Sequence, residues 1–132
     1  MQLDELQNVI SNGTSIQSSG TTGTPKVIEQ TPAKLKAADE VAIDSQKITS
    51  KSKIYTICKT THAGGLLAQT LPGIRIGAEV VIEDFNAYRF VREVTKYTHT
   101  HITPDHGKAI IKTKGWRDLD LTGLWVTCGS DR

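Results

Sequence analysis

Four short strand-like runs, 53–58, 79–83, 98–103 and 123–128, are separated from one another by stretches patterned for helix, and this alternation restricts the chain more than any other feature. Strands that alternate with helices at such spacing form a largely parallel sheet with helices on both faces, an α/β architecture. The helix signals are local. Thr31-Pro32 and Thr103-Pro104 each place a capping hydroxyl before a proline, whose missing N–H costs nothing in a first helical turn. Leu35, Ala38, Val41 and Ala42 supply the apolar face of the first of these helices, and Ala109, Ile110 and Ile111 that of the second, which is expected to run to Lys114 or Gly115. Asn86 caps a helix with Phe90, Val91, Val94 and Tyr97 on one face, and Gly64 to Leu71 reads as a helix despite its glycines. Ahead of these, Leu3, Leu6, Val9 and Ile10 recur at helical spacing until Asn12-Gly13. A length of 132 residues with 37% hydrophobic content suits one domain, 1–132, with one modest core.

In parallel sheets of this kind ligands bind outside the carboxyl ends of the strands. The polar residues that the pattern places there begin with Ser18, Ser19, Gly20, Thr21, Thr22, Gly23, Thr24, Pro25 and Lys26, which join a strand at 14–17 to a strand at 27–30. Hydroxyls and backbone N–H groups in such a run can face anionic oxygens, Gly20 and Gly23 allow close approach of the main chain, and Lys26 adds a compact positive charge. The run reads as a phosphate cradle. It is not a Walker loop, which needs Gly-Lys-Ser/Thr, nor a GxGxxG turn, and a flexible linker would not end in Pro-Lys before an apolar run. Further strand ends contribute Lys59-Thr60-Thr61-His62, Glu83-Asp84, Thr103-Pro104-Asp105-His106 and Gly129-Ser130-Asp131-Arg132.

Sixteen Lys plus Arg against fourteen Asp plus Glu leave a charge of +2, too small to imply a nucleic-acid or membrane surface. The acidic start Met1-Gln2-Leu3-Asp4-Glu5 is no signal core and no run is long enough to span a bilayer, so a cytoplasmic location is expected. Cys58 and Cys128 have no metal-ligand spacing and sit in apolar runs, which reads as two buried free thiols. His99 and His101 stand two apart on one face of a strand, with His106 beyond; with no carboxylate or cysteine at regular spacing, they read as strand histidines brought together by chance rather than as a metal site. Asp84 and Asp105 read either as Mg2+ ligands or as ordinary carboxylates at helix starts.

The stretch Ser18 to Lys26, continued by Val27-Ile28-Glu29-Gln30-Thr31, resembles the phosphate loop and following strand of the adenylate-forming (AMP-binding) enzymes, the superfamily of acyl-CoA synthetases, aryl-CoA ligases and luciferases. Val27 replaces the family's usual glycine after the lysine, and Pro32 its usual histidine. His62-Ala63-Gly64-Gly65 resembles the segment that lines the acyl pocket, with Thr60-Thr61 in place of the customary proline-aromatic pair. Gly77-Ala78-Glu79-Val80-Val81, Phe85 through Pro104, and Asp118 to Leu124 resemble successive parts of the same large N-terminal domain, while Gly129-Ser130-Asp131 lacks the family's second glycine.

The resemblance implies ATP-dependent activation of a carboxylic acid to an acyl-adenylate, with ATP, Mg2+ and possible transfer to CoA. Lys26 and His62 would be the catalytic residues, and Ser18, Ser19, Gly20, Thr21, Thr22, Gly23, Thr24, Lys26 and Gly129 the nucleotide-binding ones. His62 reads equally as wall or gate of the acyl pocket and as a solvent-facing loop histidine. The family's adenine, ribose and C-terminal lysine motifs are not found, so a truncated subdomain with slight or no activity alone is expected, either a fragment of a longer chain or one half completed by a partner chain or a second copy. The alternatives are a non-catalytic nucleotide or pyrophosphate module, and an interaction protein that keeps the inherited fold.

Overall fold

A computed structural model describes residues 3–18, 26–60 and 63–129. The strands are β1 (Thr14–Ser18), β2 (Lys26–Gln30), β3 (Lys53–Thr56), β4 (Glu79–Ile82), β5 (His99–Ile102) and β6 (Trp125–Cys128). The helices are α1 (Leu3–Asn12), α2 (Pro32–Gln46), α3 (Ala63–Leu67), α4 (Thr70–Ile76), α5 (Ala87–Glu93) and α6 (Pro104–Ile111), with 3-10 turns at Val94–Lys96 and Lys114–Asp118. Strands β3 to β6 form one fully parallel sheet in the order β4-β3-β5-β6, and β1 and β2 form a separate antiparallel hairpin.

The expected caps are in place. Thr31 accepts from Lys34 N–H, Asn86 from Arg89 N–H, and Thr103 from His106 N–H, in each case holding an otherwise unpartnered N–H of the first turn.

The stretch expected as one helix over 64–71 is two. Pro72 stands in the first turn of α4 and cannot donate to the carbonyl of Ala68, which accepts instead from the side-chain amide of Gln46 at 2.8 Å. Two ends also differ: α6 closes at Ile111 rather than near Lys114, and β3 ends before Cys58.

Period-two alternation on β3 divides the core. Ile54 and Thr56 face α4: a Cβ on Gly73 would stand 2.1 Å from Ile54 Cδ1, and the hydroxyls of Thr56 and Thr70 lie 2.7 Å apart. On that side Leu6, Val9, Ile16, Leu35, Leu66 and Leu71 pack α1, α2, α3, α4 and the hairpin together. Tyr55 and Ile57 face the other way, where they pack with Phe90, Val94 and Ile110 of the α5–α6 layer. Cys128 is exposed, contrary to the expectation of two buried thiols, because β6 lies at the edge of the sheet; Cys58 is half-buried.

Candidate functional site

The strand order sets where a ligand can sit. From β3 the chain passes through α3 and α4 to β4 on one side, whereas from β5 it passes through α6 to β6 on the other. The connections diverge between β3 and β5, and a crevice opens outside the carboxyl ends of such a pair. The hairpin joins this edge through β1, which packs on α3, the helix that leaves the end of β3. Its register closes with Ser18 opposite Lys26, so two of the expected phosphate-binding residues end paired strands. Ser19, Gly20, Thr21, Thr22, Gly23, Thr24 and His62 lie outside the described residues.

The crevice floor is a connected set of polar groups. His101 Nδ1 and Thr127 Oγ1 are 2.6 Å apart across the β5–β6 pair. Beside them the Gln69 amide donates to Thr100 O at 2.9 Å and to Gln46 Oε1 at 2.9 Å, and lies 3.4 Å from Thr127 Oγ1. At the end of β3, Cys58 Sγ lies 3.3 Å from the His101 carbonyl and 3.8 Å from His106 Nδ1. His106 closes a capping box on α6, since its Nδ1 accepts from Thr103 N–H at 3.2 Å, which leaves the neutral ring's proton on Nε2. Burial holds the His106 pKa below the usual imidazole value against the opposing pull of Asp105, and its ring lies 4.3 Å from that of Phe85.

The space beneath this floor, bordered by Thr56, Cys58, Gly65, Gln69 and His101, is about 10 Å3, room for one water-sized molecule. That space is too small for a nucleotide-sized ligand, so any such ligand would have to sit above the strand ends. Two glycines frame that position differently. At Gly65 a Cβ would stand 2.1 Å from the Lys59 carbonyl oxygen, so α3 meets the end of β3 only because the residue is glycine. At Gly129 a Cβ would meet His101 Cε1 at 3.5 Å, an ordinary contact, so nothing inside the described structure requires that glycine.

The remaining strand-end residues divide. Glu83 accepts from the Tyr55 hydroxyl at 2.8 Å; burial first, and then Glu83, push the Tyr55 pKa far upward. Asp84 and Asp105 are exposed at different strand ends. His99 and His101 do share a face of β5, but both ring nitrogens of His99 are engaged, Nε2 with Gln46 O at 2.8 Å and Nδ1 with Thr98 Oγ1 at 2.7 Å. Among the described residues no three His, Cys, Asp or Glu side chains converge as a metal site. Sequence reasoning missed Gln69; its signal was Pro72, which marks a helix start three residues on.

No protein-family model matches the chain. It is 32% identical over 116 residues to the indoleacetate–CoA ligase of Aromatoleum aromaticum, a match that takes in 85% of this chain and 23% of that protein. Among solved structures, an acyl-CoA synthetase (AMP-forming)/AMP-acid ligase II-like protein from Dyadobacter fermentans superposes with a TM-score of 0.77 at 17% identity, over 96% of this chain and 37% of that one. The anthranilate CoA ligase AuaEII, in complex with anthranoyl-AMP, gives 0.74 at 19% identity, over 88% and 24%. ATP-bound MatB from Rhodopseudomonas palustris gives 0.71 at 12% identity, over 89% and 29%. The chain thus spans about a quarter of its curated relative, and no helix among the described residues is long and apolar enough to cross a membrane. In sequence and in fold it resembles part of the large domain of the AMP-binding, adenylate-forming acyl-CoA synthetases.

Proposed function

We propose that this chain supplies the phosphate-gripping part of an ATP-dependent acid–thiol ligase, one that activates a carboxylic acid to its acyl-adenylate and releases pyrophosphate. The observation that carries the reading is the hairpin whose register ends at Ser18 and Lys26, seated on the helix that leaves the sheet's diverging strand ends. Lys26 and the hydroxyl and N–H groups of residues 18 to 24 would neutralise the β- and γ-phosphates, so that the chain contributes position and charge to the attack on the α-phosphorus. His62 would stand at the acyl pocket, and Gly129 would leave space for the nucleotide. Magnesium would arrive as the counter-ion of the triphosphate, held by phosphate oxygens, since Glu83 is committed to Tyr55 and the described carboxylates do not converge. The aryl-acid ligases among the relatives favour an aromatic acid, transferred afterwards to CoA.

ATP–pyrophosphate exchange measured with indole-3-acetate, anthranilate and benzoate tests this reading. The chain alone should exchange little, and addition of a polypeptide carrying the family's adenine, ribose and lysine motifs should restore the reaction. Exchange that is equally fast with Lys26→Ala would remove the loop from the mechanism. The second reading, a nucleotide or pyrophosphate module without catalysis, predicts ATP binding and no exchange in either setting.

A further inference from the structure

The net charge of +2 conceals a strong segregation. Residues 87 to 118 contain seven Lys and Arg against Glu93, Asp105 and Asp118, a local charge of +4, so the other residues together carry −2. This segment includes α5, α6 and the 3-10 turn Lys114–Asp118, which form one layer of the fold. Three of its seven cations, Lys112, Lys114 and Arg117, border one groove of about 360 Å3 together with Ile111 and Thr113. Because α6 starts at the carboxyl end of β5 and runs back across the sheet, the groove lies at the end opposite the candidate nucleotide edge.

The groove has a fixed base. Thr113 is buried and donates its hydroxyl to Ile110 O at 2.7 Å, and Trp116 packs into the core below. Gly115 lies so close to α5 that a Cβ would stand 3.3 Å from Val91 Cγ2. Lys112, Lys114 and Arg117 are the alternate positions that point outward, and Ile111 lies 58% exposed beside them. A helix carboxyl end favours nearby cations, which accounts for Lys108 and Lys112; Lys114 and Arg117 lie beyond it.

From this geometry we infer that the groove is a docking surface for an acidic, amphipathic segment of a partner protein, whose carboxylates meet Lys112, Lys114 and Arg117 while an apolar side chain covers Ile111. Charge complementarity selects the partner's sign, and the exposed isoleucine on the groove's border selects a polypeptide. A nucleic acid would call for aromatic stacking positions, and none borders the groove.

The test uses a fluorescein-labelled helical peptide with glutamates flanking a leucine stripe, its glutamine counterpart, an oligonucleotide of equal charge and phosphatidylserine vesicles, each titrated with the full chain. The acidic peptide should bind, and its affinity should fall about tenfold between roughly 50 and 300 mM salt. Lys112→Glu with Lys114→Glu should weaken it about tenfold or more, and Ile111→Ser severalfold, with thermal unfolding lowered only slightly, since all three side chains are exposed and the double variant loses just the helix-end cation. The glutamine peptide should not bind. Absence of binding, equal binding by the charge-reversed variant, or tighter binding of the oligonucleotide or the vesicles would overturn the inference.

Discussion

The two faces of the sheet are held by different means. On the α2–α4 face, polar groups connect the elements. Asp39 is fully buried with its carboxylate 2.7 Å from Arg75 Nε, and the side chains of Gln46, Gln69 and His99 tie α2 and the start of α4 to β5. On the α5–α6 face, the Tyr55–Glu83 bond and the Cys58–His106 contact aside, the contacts are aromatic and aliphatic: Tyr55 stacks on Tyr97 with ring centres 4.4 Å apart and on Phe90 at 5.9 Å. Directional bonds fix where α3 and α4 sit, and with them the hairpin and the end of β3. The other face needs only to be covered, and its outer surface is left for charge. One side therefore positions a site, and the other supplies bulk stability.

The largest effects should come from removing one partner of a buried group. Arg75→Ala strands the Asp39 carboxylate at 0% exposure and should cost about 3–5 kcal/mol, whereas Asp39→Leu with Arg75→Met should recover most of the loss. On the opposite face Phe90→Ala should cost a similar 3–5 kcal/mol, but through an apolar cavity that no second substitution at a polar site relieves. Denaturant midpoints of the single and paired variants separate these mechanisms. Gly65→Ala forces α3 off the Lys59 carbonyl and should cost about 1–3 kcal/mol while also weakening nucleotide binding, because the helix that carries the hairpin must move. Equal affinity in a destabilised Gly65→Ala would break the link between packing and site.

Acid should act on the two faces with opposite sign. Burial, outweighing Arg75, raises the Asp39 pKa, so the folded state holds that proton to higher pH than the unfolded chain does. The Asp39 contribution therefore grows as pH falls through its raised value, and is complete below the ordinary carboxylate value near 3.8. Burial lowers the His106 pKa, so its contribution is present above the ordinary value of 6.5 and is lost as pH falls from there through the folded value. Thermal unfolding followed from pH 7.5 to 5 should fall less in His106→Gln than in the parent chain, by about 1 kcal/mol or less. An unchanged slope would show that His106 titrates alike in both states. The exposed Lys96–Glu93 pair, at 2.6 Å, is expected to contribute almost nothing, and Lys96→Ala serves as the control.

Much of this plan is legible in the residues. Thr31-Pro32, Asn86 and Thr103-Pro104 start helices where local chemistry says they should, and the alternation of strand and helix gives the parallel sheet. That the phosphate loop joins two strands is legible on either side of it, at 14–17 and 27–30. What stays hidden depends on partners distant in sequence. Nothing near Asp39 announces Arg75, and a buried aspartate on a helix reads as one more surface carboxylate. The exposure of Cys128 depends on β6 being an edge strand, which is a matter of strand order. The break between α3 and α4 is marked by Pro72, whereas Gly65, which in sequence reads only as a tolerated helix glycine, marks a close approach of two backbones.

Calorimetric titration of Mg-ATP into the parent chain, Lys26→Ala and Gly129→Ala tests the central claim most directly. A nucleotide seated above the diverging strand ends predicts weak binding by the parent, none by Lys26→Ala, and a loss of about tenfold or more in Gly129→Ala, all with unfolding temperatures close to the parent's, since a Cβ at 129 meets His101 at an ordinary 3.5 Å. Equal affinity across all three proteins would contradict the account and place the nucleotide elsewhere.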